Sequence, residues 1–184
     1  MDLKRFYLDK PHHFKCCHRV KEDVYAVTIM REEVLFDVAY SLWKRAQMLN
    51  IKGEDQRKYE ITKDDMDWFD RQLQTAISHV KDKLQWAVTN NKARMVSDEL
   101  DKPEHQYSIV LGFSDCFWNG SPNNLVTYVH DYAVNYILAD WCGMSVPDLV
   151  AFHEKKARWN LNHAHFEVNE VRMLHPDYMP LPKS

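Results

Sequence analysis

A single periodic segment, residues 61–88, places the strongest constraint on the fold of this chain. Thr62 and Asp65 stand three residues apart at its start, an acidic variant of the capping box that satisfies free amides in the first turn of a helix. Apolar residues then recur at intervals of three and four, which predicts one buried stripe over about six helical turns. Charges of both signs occupy the positions between them, so we predict a packing helix with a solvated outer side. The stripe consists of Met66, Phe69, Leu73, Ile77, Val80, Leu84 and Val88.

Three further segments have helical periodicity, and the chain is therefore predicted to be mainly α, with a four-helix bundle-like domain. These helices are expected at residues 31–49, from Pro122 after its cap Ser121 to Gly143, and from Pro147 to Val168. The short connection between the last two predicts that they pack against each other. The buried stripes are expected to be Val34, Val38, Leu42, Ala46 and Leu49, with Leu35 and Ala39 beside them; Leu125, Val129, Tyr132, Tyr136 and Ala139; and Leu149, His153, Ala157, Leu161, Ala164 and Val168.

A β-hairpin is predicted within the bundle at about residues 93–113. Its arms are residues 93–97 and 107–113, and in the second arm Tyr107, Ile109 and Leu111 alternate with smaller or polar neighbours. The connection between the arms is charged and contains a proline, so we expect it to project into solvent as a contact arm. Nearer the N-terminus, residues 24–30 fit either a short strand or the lead into the first helix.

The last residues, 173–184, break the helical pattern, because three prolines there push their predecessors into an extended conformation. A disordered tail would normally lack large apolar side chains, but this one keeps several. Two interpretations are open: a tail that folds back over its own core, or an arm that docks on another subunit. We therefore divide the chain into a basic N-terminal segment (1–30), the helical bundle with its hairpin (31–172) and an extended arm (173–184). The apolar residues of the arm are Met173, Leu174, Tyr178, Met179 and Leu181.

Composition and charge argue against several classes of protein. With 24 basic and 27 acidic residues and a net charge of -3, the chain has no global field to hold nucleic acid or an anionic membrane. No apolar run follows the first residues, and no run of about 18 apolar residues occurs, so we expect neither a signal peptide nor a membrane span. The 4 cysteines fall in no regular framework, and we interpret them as reduced thiols of a cytoplasmic protein.

The sequence predicts no catalytic, cofactor-binding or metal site. Asp131 and Asp140 share one helix about two and a half turns apart, which is more typical of surface charges than of an acid/base pair. No HExxH, di-iron Glu-x-x-His or glycine-rich phosphate motif occurs. Candidate metal ligands form two groups, neither of which has the paired spacing of a zinc site. They are His12, His13, Cys16, Cys17 and His18 near the start, and His153, His163, His165 and His175 near the end.

The tryptophans are spread over every segment, and most are expected in or near the core. Trp68, Trp86 and Trp159 lie beside the stripes of their helices, so we predict that they reach subunit contacts, where tryptophan is enriched. The basic run at residues 155–158 is interpreted as a solvated helix face, since Glu154 is adjacent and the overall balance is acidic.

Several features follow one another in a familiar order: an early helix at 34–49, an acidic helix start at 62–69, a strand at 107–111, a helix at 125–141, then Pro147, a last helix and an extended end. This order resembles that of the small helical head-tail connector (neck or adaptor) proteins of tailed bacteriophages. The similarity covers about residues 30–184 and is one of pattern, because no piece is a diagnostic motif; residues 131–141 are the most suggestive. The first 21 residues and the Pro-Leu-Pro-Lys-Ser ending depart from the usual pattern.

The resemblance implies a structural protein of the virion, assembled in the host cytoplasm. It implies a ring of identical subunits, with a dodecamer as one candidate, which contacts the portal protein on one side and the tail or other neck proteins on the other. DNA would pass through the lumen without being read in sequence. On this hypothesis the partner contacts are Leu174, Tyr178, Met179 and Leu181 in the arm, together with Trp68, Trp86 and Trp159.

Two alternatives of other classes are open. A helical-bundle metal-dependent enzyme would contain stoichiometric zinc, nickel or iron. A non-viral cytoplasmic adaptor that binds a partner through its tail would be a monomer or dimer alone in solution.

Overall fold

The computed structural model describes residues 6–8, 20–85, 106–114 and 122–169, and four helices dominate this part of the chain. The helices are α1 (Arg31–Met48), α2 (Met66–Lys83), α3 (Pro122–Ser145) and α4 (Val150–Asn169). The strands are β1 (Phe6–Leu8), β2 (Val20–Met30) and β3 (Gln106–Ser114), and they form an antiparallel sheet of order β1-β2-β3. The predicted mainly α fold is confirmed. No helix in the described residues is long and apolar enough to cross a membrane.

The α3 helix is the centre of the bundle. It makes its most extensive contact with α4 and also contacts α1, α2 and β2, which confirms the predicted packing of the last two helices. Because α3 has neighbours on several sides, its buried surface is wider than one stripe: Ile137 and Leu138 are buried, whereas Tyr136 and Ala139, which were predicted in the stripe, are only partly buried. The prediction of a single buried face is thus wrong for this helix.

The sheet packs one face on the helices. Residues 24–30 lie in β2, where Val27 pairs with Ile109 and Ile29 with Tyr107. Alternate residues of a strand share a face, and Val27, Ile29 and Ile109 are all buried in the core that the helices share. The predicted strand at residues 107–113 is confirmed as part of β3, whose described partner is β2. The other predicted arm, residues 93–97, and the contact loop after it lie outside the described residues.

The first helix ends in a way that its sequence accounts for. Asn50 adopts a left-handed conformation with φ 51°, which asparagine tolerates better than most residues. Its N–H donates to the Gln47 carbonyl and the N–H of Ile51 donates to the Ala46 carbonyl, the two bonds of a Schellman motif. The predicted stripe from Val34 to Ala46 is buried. Leu49 is the exception, 48% exposed, because the chain leaves the helix at this residue.

The start of α2 confirms the predicted capping box. The Thr62 N–H donates to Asp65 Oδ2 at 2.8 Å and Thr62 Oγ1 donates to the same oxygen at 2.7 Å, and a 3-10 turn at Lys63–Asp65 leads into the helix. The stripe from Phe69 to Leu84 is buried, while Met66 is only partly buried. The helix ends at Lys83, before the predicted end at residue 88, which lies outside the described residues.

The predicted end of α3 at Gly143 is wrong. Gly143 lies inside α3, which continues to Ser145. The helix is ended instead by Pro147, because a proline disfavours the helical conformation in the residue before it, and Val146 indeed has φ -142° and ψ 72°. A 3-10 turn at Pro147–Leu149 then leads into α4.

Candidate functional site

The exposed side of α1 carries three aromatic residues, Phe36, Tyr40 and Trp43, which we call the α1 outer face. They are 67%, 46% and 49% exposed. Phe36 stacks on Tyr40 with ring centroids 5.9 Å apart, Tyr40 stacks on Trp43 at 5.8 Å, and Lys44 Nζ lies 5.9 Å from the centre of the Tyr40 ring. The buried stripe of α1 points to nearly the opposite side of the helix. The helix therefore has one apolar face for the core and a second one that faces solvent.

The α4 helix repeats this arrangement with a wider spacing. Phe152, Trp159 and Phe166, which we call the α4 outer face, follow one another at intervals of about two turns and are 53%, 53% and 58% exposed. Lys156 Nζ lies 5.0 Å from the centre of the Phe152 ring, and the rings of His163 and Trp159 lie 3.7 Å apart. This row of large side chains also lies opposite the buried side of its helix.

An open groove of about 470 Å³ lies beside the α1 outer face, between β2, α1 and α3. His130 Nε2 lies 2.8 Å from Asp37 Oδ2 there, with the imidazole largely buried and the carboxylate half-exposed. Two further carboxylates, of Glu32 and Glu33, make the groove acidic. Its lining residues are Thr28, Ile29, Glu32, Glu33, Phe36, Asp37, Val126, Thr127 and His130.

The pair of His130 and Asp37 ties α3 to α1. An imidazole oriented by a carboxylate can act as a general base when a hydroxyl or thiol lies within hydrogen-bond reach. Both threonine hydroxyls of the groove are engaged elsewhere: Thr127 Oγ1 donates to the Asn123 carbonyl at 2.9 Å, and Thr28 Oγ1 shares a hydrogen bond with Ser108 Oγ at 3.3 Å. The groove thus offers shape and negative charge, and its His–Asp pair fixes the relative position of two helices.

Burial holds two interior groups in their uncharged forms. It lowers the pKa of His153 to about 4, with the charge of Lys156 as a second cause. It also raises the pKa of the Cys142 thiol to about 11, so this free, buried cysteine stays protonated near neutral pH and is a poor nucleophile. The predicted reduced state is confirmed for Cys142, whereas Cys16, Cys17 and Cys116 lie outside the described residues.

Two of the predicted contact residues can be placed. Trp159 lies on the α4 outer face, with its ring edge-on to Tyr128 at 5.7 Å. Trp68 has contacts inside the chain, because its Nε1 donates to Asp140 Oδ2 at 2.9 Å and its ring lies 5.1 Å from that of Trp141. The others, Trp86, Leu174, Tyr178, Met179 and Leu181, lie outside the described residues.

The candidate metal ligands that the structure describes do not meet at one point. Among residues 6–8, 20–85, 106–114 and 122–169, no three His, Cys, Asp or Glu side chains are grouped as metal ligands would be. His153 Nδ1 lies 3.1 Å from Asn135 Oδ1, whereas His163 Nδ1 donates to the Trp159 carbonyl at 2.9 Å. The His and Cys residues at 12–18 and His175 are outside the described parts of the chain.

Sequence reasoning missed the exposure of Phe36, Tyr40, Phe152 and Phe166. The signal that could have found them is a second periodic row on each helix: the α1 row recurs at intervals of four and three, and the α4 row at intervals of seven. Each row lies on the side opposite the predicted buried stripe. A second apolar row is a departure from the single apolar stripe of a typical surface helix.

Comparison with known proteins adds no relative to this description. No protein-family model matches the chain, and neither a curated protein nor a solved structure matches it. The resemblance to head-tail connectors is therefore one of element order and sequence pattern.

Proposed function

We propose that this chain is a structural subunit of the head-tail connector of a tailed bacteriophage and that its copies form a ring between the portal and the tail. The order of its sequence features supports the class of protein, and the mainly α fold with a small antiparallel sheet agrees with it. The two outer faces support self-assembly. In this role the chain works through contacts in the virion, without catalysis and without a metal or cofactor.

The observation that carries the proposal is the aromatic surface left uncovered on two helices. If an aromatic side chain presents about 200 Å², the exposed fractions of the three residues on each outer face leave roughly 300 Å² of aromatic surface per face. The largest apolar patch of a typical monomeric protein is about 300–600 Å² in total and is often functional. This chain has two such rows on different helices, which is the expectation for a subunit with two neighbours.

A ring requires two different contact surfaces on each subunit, since a head-to-tail contact closes into a ring when the rotation between copies is suitable. The near balance of 24 basic and 27 acidic residues is compatible with a lumen through which DNA slides without tight binding. We further propose that the arm docks on the portal or tail protein, since an extended segment with spaced apolar anchors suits a groove on a partner. Its anchors are Leu174, Tyr178, Met179 and Leu181.

Native mass spectrometry and negative-stain electron microscopy of the full-length protein test the ring. We expect a closed oligomer with a central hole that binds a portal ring, and we expect genes for portal and capsid proteins beside the gene for this chain. A protein that stays monomeric at high micromolar concentration, both alone and with the portal protein, would refute the proposal.

Deletion of residues 174–184 tests the arm. We expect the truncated protein to form rings that bind the portal or tail protein at least about 10-fold more weakly, because the apolar anchors are gone. Deletion of residues 182–184 alone keeps every anchor and is the matched control. If the longer deletion binds its partners as the full chain does, the arm is not a docking element.

A further inference from the structure

The two outer faces differ in charge, and this difference favours one way of pairing them. The α1 outer face adjoins the acidic groove with Glu32, Glu33 and Asp37. Lys44 lies over the Tyr40 ring at the same face, but the carboxylates outnumber it. Lys155 and Lys156 are exposed on α4 beside the rings of its outer face, with the exposed Glu154 preceding them. Two copies joined through like faces would bring like charges together, whereas the α1 outer face of one copy against the α4 outer face of the next brings opposite charges together.

The α1 row and the first two rings of the α4 row extend over the same length of helix. The three stacked rings of α1 form a continuous ridge whose residues span about 10 Å along the helix axis. On α4, Phe152 and Trp159 also stand about 10 Å apart along the axis, with Lys155 and Lys156 exposed between them. The groove beside the α1 ridge is open to receive a lysine side chain.

A single chain cannot join its own two outer faces. Both α1 and α4 pack against α3, and each does so with the side of the helix that carries its buried residues. The outer faces consequently point away from the shared core. Within the described residues, both faces remain exposed.

We infer that the α1 outer face, with its acidic groove, binds the α4 outer face of a second copy of this chain in a head-to-tail contact. This inference rests on the proposed function, for which it supplies the interface between neighbouring subunits. The aromatic rings form the centre of the contact and the carboxylates and lysines its rim, which is the usual anatomy of protein interfaces.

Two double variants of the full chain test the contact. Tyr40→Gln with Trp43→Gln removes the α1 outer face, and Trp159→Gln with Phe166→Gln removes the α4 outer face. Each should weaken self-association by at least about 100-fold, because two large aromatic residues are lost from the centre of the interface. Their equimolar mixture should form a 1:1 heterodimer, detected by native mass spectrometry, since each variant supplies the face that the other lacks.

Controls and outcomes separate this inference from the proposed function. Circular dichroism checks that the variants are folded, and Met144→Gln, which changes a residue 64% exposed outside both faces, should assemble like the wild type. The inference is overturned if either double variant assembles like the wild type, because its face would then be covered by something else, such as residues 170–184. It is equally overturned if Met144→Gln disrupts assembly as much as the double variants do. It is also overturned if the mixture forms no heterodimer.

The assembly state of the wild-type protein distinguishes failure of this inference from failure of the proposed function. A wild-type ring without a heterodimer in the mixture leaves the connector function standing and refutes the pairing of these two faces. A heterodimer together with open wild-type filaments supports the pairing and refutes the closed ring. A wild type that is monomeric under all conditions refutes both.

Discussion

Replacing His153 with Gln should reduce the loss of stability that this protein undergoes when the pH falls from 7 to 5. His153 lies on the side of α4 that packs on α3, where its Nδ1 lies 3.1 Å from Asn135 Oδ1. The Asn135 amide donates to the Asp131 carbonyl at 2.8 Å, so its oxygen faces the imidazole and Nδ1–H is the donor. Phe152 covers part of the ring, with centroids 5.1 Å apart. Gln keeps a donor for Asn135 but does not titrate.

The sign and size of the effect follow from the pKa. The folded protein lowers the pKa of His153 from 6.5 to about 4, chiefly by burial and secondarily through Lys156, so the folded state disfavours the proton that the unfolded chain takes up. The stabilisation is fully present above pH 6.5 and is lost as the pH falls from there towards 4. By proton linkage, His153 lowers the free energy of unfolding at pH 5 by about 2 kcal/mol relative to its value well above pH 6.5. Because the ring is only half-buried, solvent screens part of it, and we expect a loss of about 1 to 2 kcal/mol.

Urea denaturation followed by far-ultraviolet circular dichroism at pH 7.5, 6.0 and 5.0 measures this loss. The free energy of unfolding of the wild type should fall more than that of the variant, by the amount above. Other groups titrate equally in both proteins, among them His165, whose pKa is also lowered by burial and by Lys83. Low, matched protein concentrations are needed because self-association itself stabilises the folded state. Parallel pH curves for the two proteins would refute the reasoning.

Three other substitutions test contacts that fix the helices. Asp70→Asn should lower the free energy of unfolding by about 1 to 2 kcal/mol in urea denaturation, because it weakens a bidentate ion pair with the largely buried Arg31. Asp55→Asn, at the exposed pair with Lys58, should leave the urea midpoint unchanged. Equal effects of the two substitutions would contradict the role of burial. Asp65→Ala should cost about 1 kcal/mol, since both bonds to Thr62 are lost, and an equal loss in Asp64→Ala would argue against capping as the cause. Trp141→Phe should cost about 1 kcal/mol, because it removes the hydrogen bond from Nε1 to the Lys58 carbonyl; a thermal midpoint equal to that of the wild type would show that this bond is unimportant.

The sequence predicts structure well where one face of a helix decides burial. The capping box of Thr62 and Asp65 identifies the start of α2, and the stripe of this helix from Phe69 to Leu84 is buried as expected. The buried stripe of α1 is equally clear up to Ala46. In both helices the apolar residues recur at the period of the helix, and the contacts that bury them come mainly from one side, so local information is sufficient.

Tertiary context decides what the sequence pattern leaves open. A one-face prediction fails for α3 because β2, α1, α2 and α4 surround it, and no single periodicity marks a helix that is buried on several sides. Among the described residues β3 pairs with β2, which is far from it along the chain, so no local signal identifies that pairing. On α1, the sequence pattern predicts the buried row from Val34 to Ala46, and only the packed structure shows that the second row, with Phe36 and Tyr40, stays exposed.

The distribution of residue size on α4 argues most strongly that its outer face serves another molecule. The side of α4 that packs on the core buries the small or medium residues Ala157, Asn160, Ala164 and Val168, whereas the large rings of Phe152, Trp159 and Phe166 point outward. Burying a large aromatic side chain stabilises a fold more than burying an alanine does, so the folding of a lone chain gives no reason for this order. Small residues let α4 approach α3 closely and hold the helix in place. If the proposed assembly is right, folding and assembly draw on different sides of the same helix, and outward substitutions should change assembly while leaving stability within about 0.5 kcal/mol of the wild type.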